Sequence, residues 1–469
     1  MLDGFLSHTE GKTLEFKRDF TSPKTLLKTL VAFANTAGGR LLLGISDDRK
    51  VIGINNVLDE EERLCSLIAD SIEPRLMPNV EIITFDNKTI LVVEVFVSSL
   101  RPHWIKAEGP QQGVYVRLGS SSRQADPLLI EELRRTAEGV AFDELPMPEL
   151  SLDDLDLNAA KRLFQGISEL DDHGLRTLKL MTVCQGRLVP TKGAILLFGK
   201  ERNRHFSDAW VQCGRFIGTD KTNIFDHIEI HESLPQTVDS IILFIKKHAM
   251  RGADFSDIRR KDVWSIPLTL LREAVVNALV HADYSQRGAP IRISFFDDRI
   301  EIENPGILLP GMTVADMREG ISKIRNHVIA RVFREVNLIE QWGSGVRRIY
   351  SEARALGLPE PQFLEVGMRL RVVVYLAELV LVDQVTDQVT NQVTDQVTDQ
   401  VTAQIGRLLD CLKDGPLSVR EALELLQLKH RPTFMISYLQ PALEAGLVEM
   451  TQPHSPNSPK QKYRLAARK

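Results

Sequence analysis

The chain has little that would mark it for an oxidising compartment, a membrane or a polyanion. Its four cysteines, Cys65, Cys184, Cys213 and Cys411, lie far apart with no CxxC, which argues against both a zinc site and a disulfide frame. No apolar run is long enough for a spanning helix, and the stretch over 370–382 is broken by Arg371 and Glu378, so no contact with a membrane is expected. The opening MLDGFLSHTEGK lacks the charged-then-apolar pattern of a leader, and the expected compartment is the cytoplasm. An excess of one charge is missing too. Lys and Arg number 58 against 63 Asp and Glu, a net charge of −5 with a pI near 6.2, so a nucleic-acid contact must be a local patch. What remains is an ordinary globular composition, 43% hydrophobic and 26% charged over 469 residues, enough for about three or four domains.

The most informative stretch is Arg272 to Tyr284, REAVVNALVHADY. Read as a helix, it stacks Glu273, Asn277 and His281 on one face at four-residue spacing. Leu270, Ala274, Val275, Ala278 and Leu279 form an apolar seat, and burying the polar stripe beside it is costly unless something charged sits there. A carboxylate and an amide oxygen one turn apart suit a hard cation such as Mg²⁺ carrying a polyphosphate. A plain surface helix can carry ExxxN as well, so the following residues decide. Ala289 to Asn304, APIRISFFDDRIEIEN, reads as two strands turning at Asp297-Asp298-Arg299, and Pro305-Gly306 then forces a loop. Arg325-Asn326 follows, and Gln341-Trp342-Gly343-Ser344-Gly345 opens a helix at Val346. Glycines just before a helix bring backbone N–H groups and the positive end of the dipole to phosphate.

This order resembles the GHKL (histidine-kinase- and gyrase-like) ATP-binding fold, in its divergent bacterial form carrying NAL-x-H-x-D-Y, NPG, RN and WGSG. The resemblance implies that Glu273 orients or activates the attacking water and that Asn277 holds Mg²⁺. It further implies that Gly306, Gly343 and Gly345 line the phosphates of ATP, with His281, Asp283, Arg325, Asn326 and Ser344 completing the cofactor site and residues 307–326 as the lid. Asn304 stands where the family usually has an adenine-reading Asp. HADY (His281 to Tyr284) and RNH (Arg325 to His327) replace the more familiar HRDY and RNP.

Residues 1–138 read as an α+β unit: a strand at Thr13 to Lys17, an amphipathic helix from Pro23 to Thr36 ended by Gly38-Gly39, then strands at 40–46, 80–84, 90–97 and 113–118. EFK, AFANTAGGRLLLGISDD and VYVRLGSSSRQAD in this order resemble the Schlafen AlbA_2 domain. That family is associated with nucleic-acid binding, and some members are metal-dependent RNA-cleaving enzymes using three acidic residues. The matching positions are Glu10, Glu15 and Asp47, with Lys17 completing an E-x-K; clustered carboxylates hold Mg²⁺ or Mn²⁺ and a lysine assists attack on phosphate. A solvated strand face and a hairpin turn would carry Glu15 and Asp47 anyway. Arg117, Arg123, Lys17, Arg18 and Lys28 are the cations expected at phosphates, although ordinary surface lysines look the same.

The whole is read as a multidomain α/β (α+β) protein. Glu138 to Ser151 reads as an acidic, proline-bearing linker, 150–204 as a small helical and winged connecting region, and 205–378 as the ATP-binding domain. Gly193 to Lys200 imitates a P-loop, but five residues separate its glycines where Walker A needs four, and Glu201 follows the lysine; it reads as a strand end. Residues 383–403 hold five VTDQ-type units, a spacer or a self-association element through which the chain would form a homo-oligomer. Residues 404–469 read as a winged helix-turn-helix with Lys429, Arg431, Lys460, Lys462 and Arg464 towards nucleic acid, DNA ahead of RNA. Two functions compete: an ATP-binding nucleic-acid-binding regulator with at most weak ATPase activity, and an ATP-gated metal-dependent endonuclease suited to antiviral defence.

Overall fold

The computed structural model describes residues 2–167, 170–254, 261–264, 267–339, 345–376 and 407–426, and beyond these 434, 438–439, 442–443, 447–452 and 461–466. The VTDQ repeat lies outside the described residues. The chain divides into two compact units, Met1–Glu378 and Leu379–Lys469. The fold is mixed α/β and multidomain.

At the N-terminus, β1 (Leu14–Lys17) is followed by α1 (Pro23–Asn35) and β2 (Gly39–Leu43), then α2 (Val57–Ser71), β3 (Asn79–Phe85) and β4 (Lys88–Val95). The sheet order is β1-β2-β4-β3, with β1 and β2 parallel and the other pairs antiparallel. Helix α1 buries Leu26, Leu27, Leu30, Val31 and Phe33 against this sheet. At its end, Asn35 clamps two neighbours: its amide donates to the carbonyls of His103 and Tyr115 at 2.9 and 3.0 Å and accepts from the His103 N–H at 2.7 Å. Hairpin β5 (Tyr115–Leu118) and β6 (Ser121–Gln124) leads into α3 (Pro127–Ala137), capped by Asp126, whose side chain accepts from the Leu129 N–H.

The acidic segment 138–151 is not a free linker. Phe142–Glu144 forms a 3₁₀ turn, and Asp143, fully buried, accepts from the N–H groups of His327, Val328 and Ile329 at 3.0, 2.7 and 2.9 Å. It caps a helix 184 residues away in sequence. Acidic composition suggests a solvated linker; a distant helix terminus needing an anion makes it a structural strut.

Helices α4 (Leu157–Leu163) and α5 (Asp172–Thr177) precede the hairpin β7 (Met181–Cys184) and β8 (Arg187–Pro190) and helix α6 (Lys192–Phe198). The P-loop look-alike is therefore helical, not a strand end. Thr191 caps it through the Ala194 N–H, and every residue from Gly193 to Phe198 is buried. A short run apolar on all sides carries no period that separates helix from strand.

Then come β9 (Val211–Phe216), β10 (Ile224–Ile230), α7 (Leu234–Ala249), α8 (Leu268–His281), β11 (Ile291–Phe295), β12 (Arg299–Pro305), the short lid helix α9 (Val314–Arg318), α10 (His327–Glu335), α11 (Gly345–Ala355), β13 (Gln362–Val366) and β14 (Arg369–Tyr375). Their sheet runs β10-β9-β11-β12-β14-β13, with β9 and β11 parallel and the remaining pairs antiparallel. Helix α8 sits between α7 and α11 and over β12. One apolar core runs from Met147 through Leu376, so the connecting region shares its interior with this sheet.

In the second unit, Ser418 and Glu421 form a capping box opening a helix at Val419–Leu425, and Val448–Met450 pairs antiparallel with Tyr463–Leu465. Lys462 is 3.2 Å from Glu421 and Arg464 is 2.7 Å from Glu449. Lys429, Arg431 and Lys460 lie outside the described residues.

Candidate nucleotide site

Helix α8 is buried along Leu270, Leu271, Ala274, Val275, Ala278 and Leu279, which leaves Glu273, Asn277 and His281 facing a cavity of about 280 Å³. Asn304 and Gly306 from the end of β12, Arg325 from the lid segment and Gly345 from the start of α11 line the same cavity. Seven residues singled out in the sequence thus meet in one place. Gly343 and Ser344 lie outside the described residues.

The contacts give each of them a role. Asn277 donates to the Glu273 carboxylate at 3.0 Å, which leaves the Asn277 Oδ1 for a cation. Gly345 abuts the same carboxylate so closely that a Cβ there would overlap Glu273 Oε1. A carboxylate against a helix N-terminus is favourable, and that N-terminus is also where a phosphate would bind. His281 is buried enough to push its imidazole down to about 4, so it presents an uncharged ring at neutral pH. Gly306 takes φ +99°, and a Cβ on it would press against Arg325 and Asp283 at 3.0 Å; only glycine lets the loop pass between them.

Two of the expected cofactor residues brace the site without lining it. Asn326 donates to the carbonyls of Val280 and Ala282 at 2.8 and 2.7 Å, which fixes the end of α8 around His281. Asp283 holds its own turn, accepting from Ser285 and Gln286, while its N–H donates to the Pro305 carbonyl.

Further groups escaped the sequence reading. The apolar wall includes Leu308, Met312, Phe363 and Leu370, a surface suited to a flat ring. Lys323 also lines it and donates to the Pro310 carbonyl at 2.7 Å, its pKa lowered by burial. Arg325, expected at the site, has a partner that the sequence did not indicate. Its guanidinium donates to the Ile307 carbonyl and forms an ion pair with Glu132 of α3, both side chains under a tenth exposed. Burial lowers Arg325 to about 10, so it stays charged at neutral pH. The lid is tied to the N-terminal layer twice more. Glu365 accepts from Lys12 Nζ at 2.7 and 2.9 Å and from the Leu308 N–H at 2.9 Å, and the Gly311 N–H donates to the Thr36 carbonyl at 2.6 Å. No sequence signal announces these pairs, because their members lie hundreds of residues apart.

The N-terminal carboxylates are arranged differently from the expected triad. Glu15 is buried and pairs with Arg117 at 2.8 Å and with Lys17. Glu10 accepts the Phe16 N–H at 2.8 Å, and Asp47 is exposed in its turn. Among the described residues no group of three or more His, Cys, Asp or Glu is placed to hold a metal ion. Arg117 is not a surface cation either. It is 1% exposed, donates to the Gly11 carbonyl at 2.7 Å and lies over the Phe33 ring. Its charge serves the interior, as the counter-ion of Glu15. Arg123 is exposed on β6.

Comparison with known proteins follows this division. Residues 10–126 match the family described as "Schlafen, AlbA_2". Residues 10–126 thus form a Schlafen AlbA_2 domain, which is one part of the chain. Behind its AlbA_2 domain, residues 288–374 match the family HATPase_c_4, described as "Putative ATP-dependent DNA helicase recG C-terminal". That match takes in β11 to β14 with the lid and begins after α8. Residues 403–466 match "Filamentation induced by cAMP protein Fic-like, C-terminal domain". Among solved structures, the DIP2311 protein of Corynebacterium diphtheriae is 19% identical, with 99% of this chain and 96% of that one covered and a TM-score of 0.43. The N-terminal domain of a RecG-related protein of Nitrosomonas europaea is 31% identical, covering 26% of this chain and 90% of that one at a TM-score of 0.22. A Fic family protein of Desulfovibrio desulfuricans is 15% identical, covering 74% and 77% at a TM-score of 0.14. No curated protein matches this chain. Among the described residues no helix is long and apolar enough to cross a membrane.

Proposed function

We propose that this chain is an ATP-binding, nucleic-acid-binding regulatory protein, in which nucleotide in the central cavity controls how the AlbA_2 domain and the C-terminal unit engage nucleic acid, DNA ahead of RNA. The observation that carries this reading is the position of Arg325. It lines the cavity and is at the same time the buried partner of Glu132 on the AlbA_2 side. A phosphate entering the cavity competes for that guanidinium. Removing the partner of a buried charge costs about 3–5 kcal/mol, so Glu132 and α3 must adjust when Arg325 turns to the nucleotide. A ligand shifts such an equilibrium only by binding one arrangement better than the other, and a shared arginine supplies that difference.

The polar groups of the cavity fit an adenine nucleotide. The Asn304 amide nitrogen donates to the Pro305 carbonyl at 3.1 Å and reaches the His281 carbonyl at 3.5 Å. Its oxygen is left as an acceptor on the cavity wall, the role the family's aspartate would play towards an amino group. Mg²⁺ would be held by Asn277 together with phosphate oxygens and water, in keeping with an ion that takes few protein ligands; it neutralises phosphate charge beside Glu273. Glu273 would orient a water beside the phosphates.

The reading is tested by fluorescence anisotropy of a labelled DNA duplex titrated with the full chain, with and without ATP and Mg²⁺. The dissociation constant is expected to change several-fold with nucleotide. Glu132→Gln, which releases Arg325 from its carboxylate, is expected to bind ATP still and to lose most of that change. Equal DNA affinity with and without bound ATP in the unaltered protein contradicts the reading.

A further inference from the structure

Beyond the cavity, the lid helix and α11 together form a shallow groove of about 210 Å³ lined by Arg318, Arg347, Tyr350, Ser351, Arg354 and Glu360. Three arginines stand here beside a single carboxylate. Glu360 is 3.4 Å from Arg318 and 3.6 Å from Arg354, long contacts between half- or fully exposed side chains that contribute little on their own. Arg347 is exposed and has no acidic partner among the described residues. It lies over Gly320, where a Cβ would collide with its guanidinium. Arg318 covers one face of the Tyr350 ring at 4.9 Å and donates to its hydroxyl at 3.1 Å. The groove therefore carries an excess of two positive charges beside an aromatic ring. Gathering like charges is unfavourable unless an anion completes them, and the planar guanidinium fork matches the geometry of a phosphodiester.

From this arrangement we infer that the groove between the lid helix and α11 is a contact surface for the phosphate backbone of a nucleic acid. Arg347 and Arg354, about two turns apart on α11, meet phosphates along the strand, and Arg318 closes the groove from the lid. The placement also has a regulatory consequence. Arg318 ends the lid helix Val314–Arg318, and α11 begins at Gly345 against Glu273. The two walls of the groove are thus the two elements that nucleotide would touch, so lid position sets groove width. This inference rests on the nucleic-acid reading proposed above, but it assigns the contact to the central domain and needs no bound nucleotide.

The test is charge reversal in the full chain, Arg347→Glu with Arg354→Glu, read by anisotropy of a labelled DNA duplex and a labelled single strand across a series of salt concentrations. A control variant, Lys161→Glu with Arg176→Glu, makes the same charge change at exposed positions on α4 and α5. Thermal melting and ATP affinity of both variants are measured in parallel. The groove variant is expected to bind about tenfold more weakly near physiological salt, and the slope of log affinity against log salt should fall by about 0.9 for each phosphate that the protein no longer neutralises. The control should stay within about twofold. Arg347→Lys with Arg354→Lys should keep most of the salt slope, since each lysine still meets a phosphate as a point charge. Unchanged affinity in a folded groove variant overturns the assignment, as does an equal loss in the control, which would reduce the effect to overall charge. If the unaltered protein binds neither probe, the broader nucleic-acid reading falls and the groove with it.

Discussion

Replacing Gly345 by alanine is expected to weaken ATP binding at least tenfold, a loss of about 1.4 kcal/mol or more, and to lower the melting temperature by a few degrees. Gly345 is not in the left-handed region, so its backbone accepts alanine without strain. The difficulty is contact alone. The added methyl would overlap Glu273 Oε1, and that oxygen is held by Asn277 at 3.0 Å. Either α11 backs away from α8 or the carboxylate swings out and releases Asn277. Both responses disturb the one place where a helix N-terminus, a carboxylate and an amide oxygen converge. Overpacking of this kind costs the folded protein about 1–3 kcal/mol, and the displaced carboxylate or helix start also misplaces the groups that would meet the nucleotide. Calorimetric titration of ATP into the variant measures it. Unaltered affinity would mean that the start of α11 is not at the phosphates.

The second large effect concerns stability. Asp143→Ala leaves three N–H groups at the start of α10 without their acceptor, in a fully buried position. Each buried donor left unpaired costs roughly 1–3 kcal/mol, so with three of them a total of at least about 3 kcal/mol is expected. Asp143→Asn, which keeps one acceptor oxygen, should lose less. Denaturant unfolding followed by circular dichroism orders the three proteins. If Asp143→Ala unfolds at the same denaturant concentration as the unaltered chain, the strut between segment 138–151 and α10 contributes nothing.

What could be read from the sequence and what could not divides along contact range. Helix α8 with its polar stripe, the hairpin β11–β12 and the amphipathic helix α1 follow from periodicities that each segment carries within itself. Glu273, Asn277 and His281 share a face for the same local reason. Charge without position misleads. Arg117 looks like a phosphate contact until Glu15, 102 residues earlier, neutralises it in the interior. The acidic 138–151 segment looks like a linker until its aspartate meets the N-terminus of α10. The pairs that tie the N-terminal region to the lid and to β13, Glu132 with Arg325 and Lys12 with Glu365, lie beyond any pattern a single chain displays. Asn304 in place of aspartate raises a question of base preference that the residue type alone leaves open.

The central claim is that the cavity under α8 takes an adenine nucleotide. Its most direct test is calorimetric titration of the full chain with ATP and with GTP in the presence of Mg²⁺. The free acceptor oxygen of Asn304 meets the amino group of adenine but opposes the carbonyl oxygen of guanine. Saturable heat with ATP and an affinity for GTP lower by about tenfold or more are the predicted result. No heat with ATP, or equal affinity for the two nucleotides, would contradict it.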